Sequence, residues 1–206
     1  MQTNQKIIIL GGGFAGVSAA LRLANRTRRR PVQITLVNAS TTFVERTRLH
    51  QTATGQPVPA KSFTEMLAGT EIDFVLGRVT ELNPVQKTVT AATDDGVQTL
   101  SYDKLIYALG SHTDLARTPG AAEHAYTVEQ HAAFLTHLHR LTPNHGRVLV
   151  IGGGLTGIEI ATELAETHPT LQVALATAGA LSDHMSSAGA GHLYKTFQSL
   201  GIVLHE

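Results

Sequence analysis

The stretch that decides the fold is Lys6-Ile7-Ile8-Ile9-Leu10-Gly11-Gly12-Gly13-Phe14-Ala15-Gly16-Val17-Ser18-Ala19-Ala20. Four consecutive large apolar residues, 7 to 10, read as a parallel strand buried on both faces. Gly11, Gly13 and Gly16 then fall at the spacing G-x-G-x-x-G. Val17, Ala20, Leu21 and Ala24 follow at i, i+3, i+4 and i+7, one apolar helix face. Strand, glycine turn and helix in this order form a dinucleotide pocket. Gly11 permits the tight turn, Gly13 lets the backbone approach a diphosphate, and Gly16 lets helix and strand pack closely. The diphosphate would sit on the helix N-terminus, where unpaired N–H groups and the helix dipole favour negative charge.

Outward from this motif, the helix should run over residues 14–27 with Arg22 and Arg26 on its outer face. It ends at Arg28-Arg29-Arg30-Pro31, where basic residues complement the helix dipole. Val32-Gln33-Ile34-Thr35-Leu36-Val37 is the next strand. In dinucleotide folds an acidic residue ends this strand and accepts hydrogen bonds from ribose hydroxyls. Here the position is Asn38, which can bond a hydroxyl without the charge.

Residues 41–62 have few large apolar side chains and contain Pro57, Pro59, Arg46, Arg48 and His50. A loop over a ligand and an ordinary surface connection are both open readings. Strands follow at residues 71–76 and 77–82, and Asp94-Asp95-Gly96 marks a hairpin between residues 85–91 and 97–102. Leu105-Ile106-Tyr107-Ala108-Leu109-Gly110 returns to the sheet as a buried strand. Arg117-Thr118-Pro119-Gly120 is a boundary, and residues 127–141 are helical, with Val128, Leu135 and Leu138 toward a core. His137 and His139 are two apart on this helix, so they share no face, and solvated or half-buried histidines are the simpler reading of these and His131.

A second stretch, Arg147-Val148-Leu149-Val150-Ile151-Gly152-Gly153-Gly154-Leu155-Thr156-Gly157-Ile158-Glu159-Ile160-Ala161, repeats the opening architecture. Its glycines are Gly152, Gly154 and Gly157, and Gly157, Ala161 and Leu164 share one helix face. The helix stops near Thr167-His168-Pro169, and residues 171–176 form the second strand. The chain is therefore α/β, with two Rossmann-like βαβ dinucleotide-binding units. The first spans residues 1–116 with a small antiparallel meander, the second residues 117–206, and both are short for the complete fold. At the ribose position of the second unit, Ala176-Thr177, there is neither an acid nor an arginine, so these residues do not choose between NADH and NADPH.

The bulk numbers exclude several classes. Sixteen basic and sixteen acidic residues cancel, so charge gives no reason to expect nucleic acid as a partner. The absence of cysteine removes a disulfide scaffold, a thiolate metal site and a dithiol redox centre. No apolar run approaches ~18 residues and no leader precedes the first strand, so a cytoplasmic location is the expectation, with a peripheral membrane contact left open. Ser182-Asp183-His184 does not make a hydrolase, because adjacent residues rarely converge on one reacting atom and no G-x-S-x-G elbow is present.

Taken together, the chain resembles the two-dinucleotide-binding flavoproteins of the pyridine nucleotide-disulphide oxidoreductase type. The likeness is to the branch without the dithiol, which includes type II NADH dehydrogenases, ferredoxin-reductase-like and apoptosis-inducing-factor-like enzymes. It covers nearly the whole chain. The matching pieces are residues 11–16, Ala108-Leu109-Gly110, Thr118-Pro119-Gly120 and residues 152–161. The resemblance implies FAD at Gly11, Gly13, Phe14, Ala15, Gly16, Asn38, Ala39, Arg48, Val79, Ala108 and Gly110. It implies NAD(P)H as co-substrate at Gly152, Gly154, Leu155, Thr156 and Gly157, with Glu159 orienting the nicotinamide for hydride transfer to flavin. The alternative for Glu159 is a first-turn carboxylate that stabilises the helix dipole. The chain departs from the family at Leu109, where Ala-Thr-Gly is usual, and at Asn38. The family also carries a later Gly-Asp segment that closes the FAD site, and a C-terminal domain, neither of which falls within residues 1–206; the expectation is either a fragment of a longer protein or a shortened form that binds flavin weakly or not at all.

Two functions follow as expectations. The first is an FAD-dependent NAD(P)H oxidoreductase, or its N-terminal portion, that passes electrons to a quinone or a redox protein. The second is a non-catalytic nucleotide-binding or assembly module derived from such an enzyme. A shortened α/β unit should leave apolar faces uncovered, which predicts self-association.

Overall fold

The computed structural model describes residues 4–206, without the side chains of Arg117 and His184, so the Ser182-Asp183-His184 reading falls partly outside the described residues. The chain divides into two compact units. One is made of Met1–Arg46 and Pro59–His112, the other of Thr47–Val58 and Thr113–Glu206.

The first unit opens with β1 (Gln5–Leu10), α1 (Phe14–Thr27), β2 (Val32–Asn38) and the short β3 (Thr42–Phe43). After the excursion that carries α2 (Leu49–Ala53), it continues with β4 (Lys61–Ser62), α3 (Phe63–Met66), β5 (Ile72–Leu76), β6 (Arg78–Asn83), β7 (Thr88–Thr93), β8 (Gly96–Ser101) and β9 (Lys104–Tyr107). The main sheet is parallel in the order β5-β2-β1-β9, with Ile9 level with both Leu36 and Ile106. This central position explains the unbroken apolar run of β1, since side chains on both of its faces are buried. On one face Ile9, Ile34 and Leu36 meet Val17 and Ala20 of α1 and Phe63 of α3. On the other, Ile8, Leu10 and Val37 meet Val89 and Ala91 of β7.

The antiparallel meander β6-β7-β8 therefore does for one face what α1 does for the other. Its hairpin turns at Asp94-Asp95, with Thr93 paired to Gly96. β7 starts at Thr88, later than the sequence reading has it, because the Asn83 carboxamide oxygen accepts from the N–H groups of Val85 and Gln86 and folds residues 83–87 into a turn.

In the second unit, α4 (Ala121–His124) and α5 (His131–Leu141) precede β10 (Arg147–Ile151), α6 (Leu155–Thr167), β11 (Gln172–Ala176), α7 (Ser187–Ser199) and β12 (Val203–His205). The sheet is parallel in the order β10-β11-β12. Leu138 of α5, Ala161 and Leu164 of α6 and Phe197 of α7 share one core with Val148, Val173 and Leu175. Successive strand residues point to opposite faces. The alternate positions Leu149, Ile151 and Val203 are 54%, 64% and 55% exposed, so the opposite face of this sheet is uncovered. The helix expected over residues 127–141 opens as a 3-10 turn, Val128–Gln130, whose Thr127 and Gln130 form a capping box, and α5 begins at His131.

Residues 41–62 differ most from a plain loop. They hold β3, β4 and α2, and Leu49 and Ala53 of α2 are buried. Thr47–Val58 belongs to the second unit, although the sequence division at residue 116 leaves it in the first. α2 packs on α6 and α5, which gives its two apolar residues a place to bury.

Candidate functional site: two glycine cradles

At the end of β1, Gly11 takes φ +97°, a left-handed conformation that a side chain would strain. Its N–H donates to the Val37 carbonyl at 2.8 Å, and the Ala108 N–H donates to the Leu10 carbonyl at 2.8 Å. A methyl on Gly16 would overlap the Gly11 carbonyl oxygen, well inside the 3.0 Å limit of real Cβ contacts. Around Gly13, the N-cap of α1, a Cβ would meet nothing within 4 Å. The three glycines thus have three distinct duties: a turn, an open approach and a close helix–strand packing.

The second motif repeats these duties. Gly152 has φ +116°, and its N–H donates to the Ala176 carbonyl at 2.8 Å. A methyl on Gly157 would overlap the Gly152 carbonyl oxygen, and Gly154, the N-cap of α6, again has nothing within 4 Å of its Cβ position. Each helix N-terminus presents backbone N–H groups without intrahelical partners toward this open approach, with Phe14, Ala15 and Gly16 in one and Leu155, Thr156 and Gly157 in the other. Two helix N-termini, each with open space beside its N-cap glycine and no side-chain cap, fit diphosphates.

The flanking residues are placed as follows. Asn38 is turned toward its own loop: its Oδ1 accepts from the Gly12 N–H and its Nδ2 donates to the Ser40 carbonyl, both at 2.9 Å. Beside it, an open cleft of about 410 Å³ at the C-terminal ends of β2 and β5 is lined by Ala39, Ser40, Thr41, Gly77 and Arg78. Such strand ends are where ligands of open α/β sheets bind. Val79 follows on β6, where the pairing with β7 shifts register. Gly110 turns with φ +77°, and no atom lies within 4 Å of its Cβ position. Phe14 is half exposed and holds the Phe43 ring edge-on at 5.0 Å. Arg48 lies in the 3-10 turn before α2, in the second unit, and its Nε donates to Gln51 at 2.7 Å.

Glu159 is the fifth residue of α6, beyond the first turn, so the helix-dipole reading of this carboxylate does not hold. It lies instead 3.4 Å from Nδ1 of His50 on α2, while Glu163 receives the Gln56 side-chain amide. No periodic pattern announces this cluster. Its only trace in the sequence is the polar, histidine-bearing segment of residues 41–62. The loop after β11 is held from β12: the Glu206 carboxylate accepts from the Leu181 N–H at 2.8 Å and the Tyr194 hydroxyl at 2.7 Å. The Tyr194 hydrogen bond, then that of Leu181, holds Glu206 below the usual carboxylate range, and Glu206 in turn raises the phenol of Tyr194.

The fold and its paired cradles define a protein with two dinucleotide-binding βαβ units. The chain matches the pyridine nucleotide-disulphide oxidoreductase family over residues 5–205 and belongs to it. It is 31% identical over 176 residues to demethylphylloquinone reductase NdbB of Synechocystis sp., covering 78% of this chain and 43% of that protein. To the type II NADH:quinone oxidoreductase of Staphylococcus epidermidis it is 28% identical over 190 residues, covering 82% and 45%. Among solved structures, NDH2 from Plasmodium falciparum in complex with NADH superposes with a TM-score of 0.84 at 19% identity, covering 98% of this chain and 48% of that one. The chain thus spans about half the length of the curated relatives it matches. The family is one of FAD-dependent NAD(P)H oxidoreductases. Among the described residues, no helix is long and apolar enough to cross a membrane.

Proposed function

We propose that this chain supplies the nucleotide-binding part of an FAD-dependent NAD(P)H oxidoreductase that delivers electrons to a quinone or a redox protein. The observation that carries this reading is the duplicated cradle, in which Gly13 and Gly154 leave the approach to each helix N-terminus open. Gly11, Gly13 and Gly16 hold the FAD diphosphate, and Ala39, Val79, Ala108 and Gly110 border the rest of that site. Asn38 acts there by fixing the Gly12 N–H. Gly152, Gly154 and Gly157 hold the NAD(P)H diphosphate with the backbone of Leu155 and Thr156. Glu159, whose side chain is 49% exposed, orients the nicotinamide. When bound, the flavin accepts hydride from the nicotinamide and releases electrons onward. Relatives named as quinone oxidoreductases and a quinone reductase support the quinone as acceptor, and peripheral contact with a membrane would accompany it.

The test is spectroscopic. Purified protein, as isolated or after incubation with FAD, is expected to show flavin absorbance that bleaches under anaerobic NADH. No flavin uptake together with no bleaching would overturn the reading. A second reading is a nucleotide-binding module without turnover, since the cradles by themselves account for binding and not for chemistry. Calorimetry that detects NADH binding in a protein with no NADH oxidation would select it.

A further inference from the structure

His50 stands between two carboxylates of one helix. Its Nδ1 is 3.4 Å from Glu159, and its Nε2 is 3.9 Å from Glu163. The two acids are one helical turn apart, a spacing at which like charges repel. They are not equivalent. Glu163 is 17% exposed and anchored by the Gln56 amide, whereas Glu159 is 49% exposed and open to a ligand. The imidazole itself is 15% exposed, so its charge is felt at close range and poorly screened. The elements adjoining or packed on α2 also carry Arg48 in the preceding 3-10 turn, Glu129 in the turn before α5, His131 at the start of α5, and His168 after α6, whose Nε2 lies 2.9 Å from the Thr54 carbonyl oxygen.

We propose that His50 is a positioning residue that sets which oxidation state of the nicotinamide the second cradle prefers. The inference rests on Glu159 being the nicotinamide's neighbour. The oxidised ring carries a positive charge and the reduced ring none. With a neutral side chain at position 50, the Glu159 charge is available to the cationic ring and favours the oxidised nucleotide. With a cation there, that charge is offset and the preference is removed. Positive charge at position 50 and oxidised-nucleotide binding then oppose each other.

The experiment measures Kd for NAD+ and NADH on the full chain at one fixed pH and ionic strength. Wild type, His50→Gln and His50→Lys are compared, with ADP-ribose, which has no nicotinamide, as control. The ratio Kd(NAD+)/Kd(NADH) is expected to be about fivefold higher in His50→Lys than in His50→Gln, the low end of coupling between linked sites. ADP-ribose affinity should not follow this trend. Equal ratios in His50→Gln and His50→Lys overturn the proposal. Failure of NADH, NAD+ and ADP-ribose alike to bind removes the second-cradle reading, and this inference falls with it.

Discussion

A methyl group on Gly16 would overlap the carbonyl oxygen of Gly11, whereas a methyl on Gly13, three residues earlier, would meet nothing. The two glycines are required for different reasons, and substitution separates them. Gly16→Ala is expected to destabilise the first unit by about 1–3 kcal/mol, the usual cost of forcing atoms into packed space. Gly13→Ala should leave the denaturant midpoint unchanged and abolish FAD uptake, because its methyl enters only the approach reserved for the diphosphate. Chemical denaturation and flavin titration of both variants check this.

The same contrast holds in the second unit. Gly154→Ala is expected to lose NADH binding while keeping both thermal stability and any flavin bound by the first cradle, since Gly154 also borders open space. Equal loss of flavin and NADH would show that the cradles do not act separately.

Asn38 joins Gly12 to Ser40 through both ends of its carboxamide. Asn38→Ala strands the Gly12 N–H and the Ser40 carbonyl and should cost about 1–3 kcal/mol. Asn38→Asp keeps the acceptor for Gly12 but sets a carboxylate oxygen against the Ser40 carbonyl oxygen, so restoring the acid common at this position is expected to destabilise this loop. Urea unfolding of the two variants reads the effect directly.

The Glu206–Tyr194 contact carries a pH dependence of known sign. Glu206 is held below its usual range, so its contribution is present above the ordinary carboxylate range of about pH 4.3 and is lost as pH falls through the lowered folded value. Tyr194 is raised, so its contribution is present below the ordinary phenol range of about pH 10 and is lost as pH rises through the higher folded value. The Leu181 N–H donates to Glu206, so its protection factor against amide exchange, taken relative to the intrinsic rate at each pH, should fall at both extremes in wild type. In Glu206→Gln the protection factor should be lower at neutral pH and show no acid limb.

Leu149, Ile151 and Val203 make an exposed apolar strip on the sheet of the second unit. Self-association through this face is expected, and Leu149→Lys with Ile151→Lys should reduce it. Because both side chains are exposed, stability should change by no more than about 0.5 kcal/mol per site. Light scattering showing the same mass for wild type and variant would exclude this face.

Each cradle could be read from the sequence because everything it needs is contiguous: an apolar run, a glycine where φ turns positive, a glycine where helix meets strand, and a helix face at 3.6 periodicity. The hairpin at Asp94-Asp95-Gly96 was legible for the same reason, and the parallel pairing of β1 with β2 followed from the intervening helix. Only the tertiary structure decided that the meander buries the second face of β1, that Thr47–Val58 joins the second unit, and that His50 meets Glu159. It also turned Asn38 toward Gly12 rather than outward. Backbone conformation and amphipathic period are local properties that neighbouring residues impose on one another. A polar contact between segments far apart in the chain leaves no period behind, and exists only once the topology has brought its two sides together.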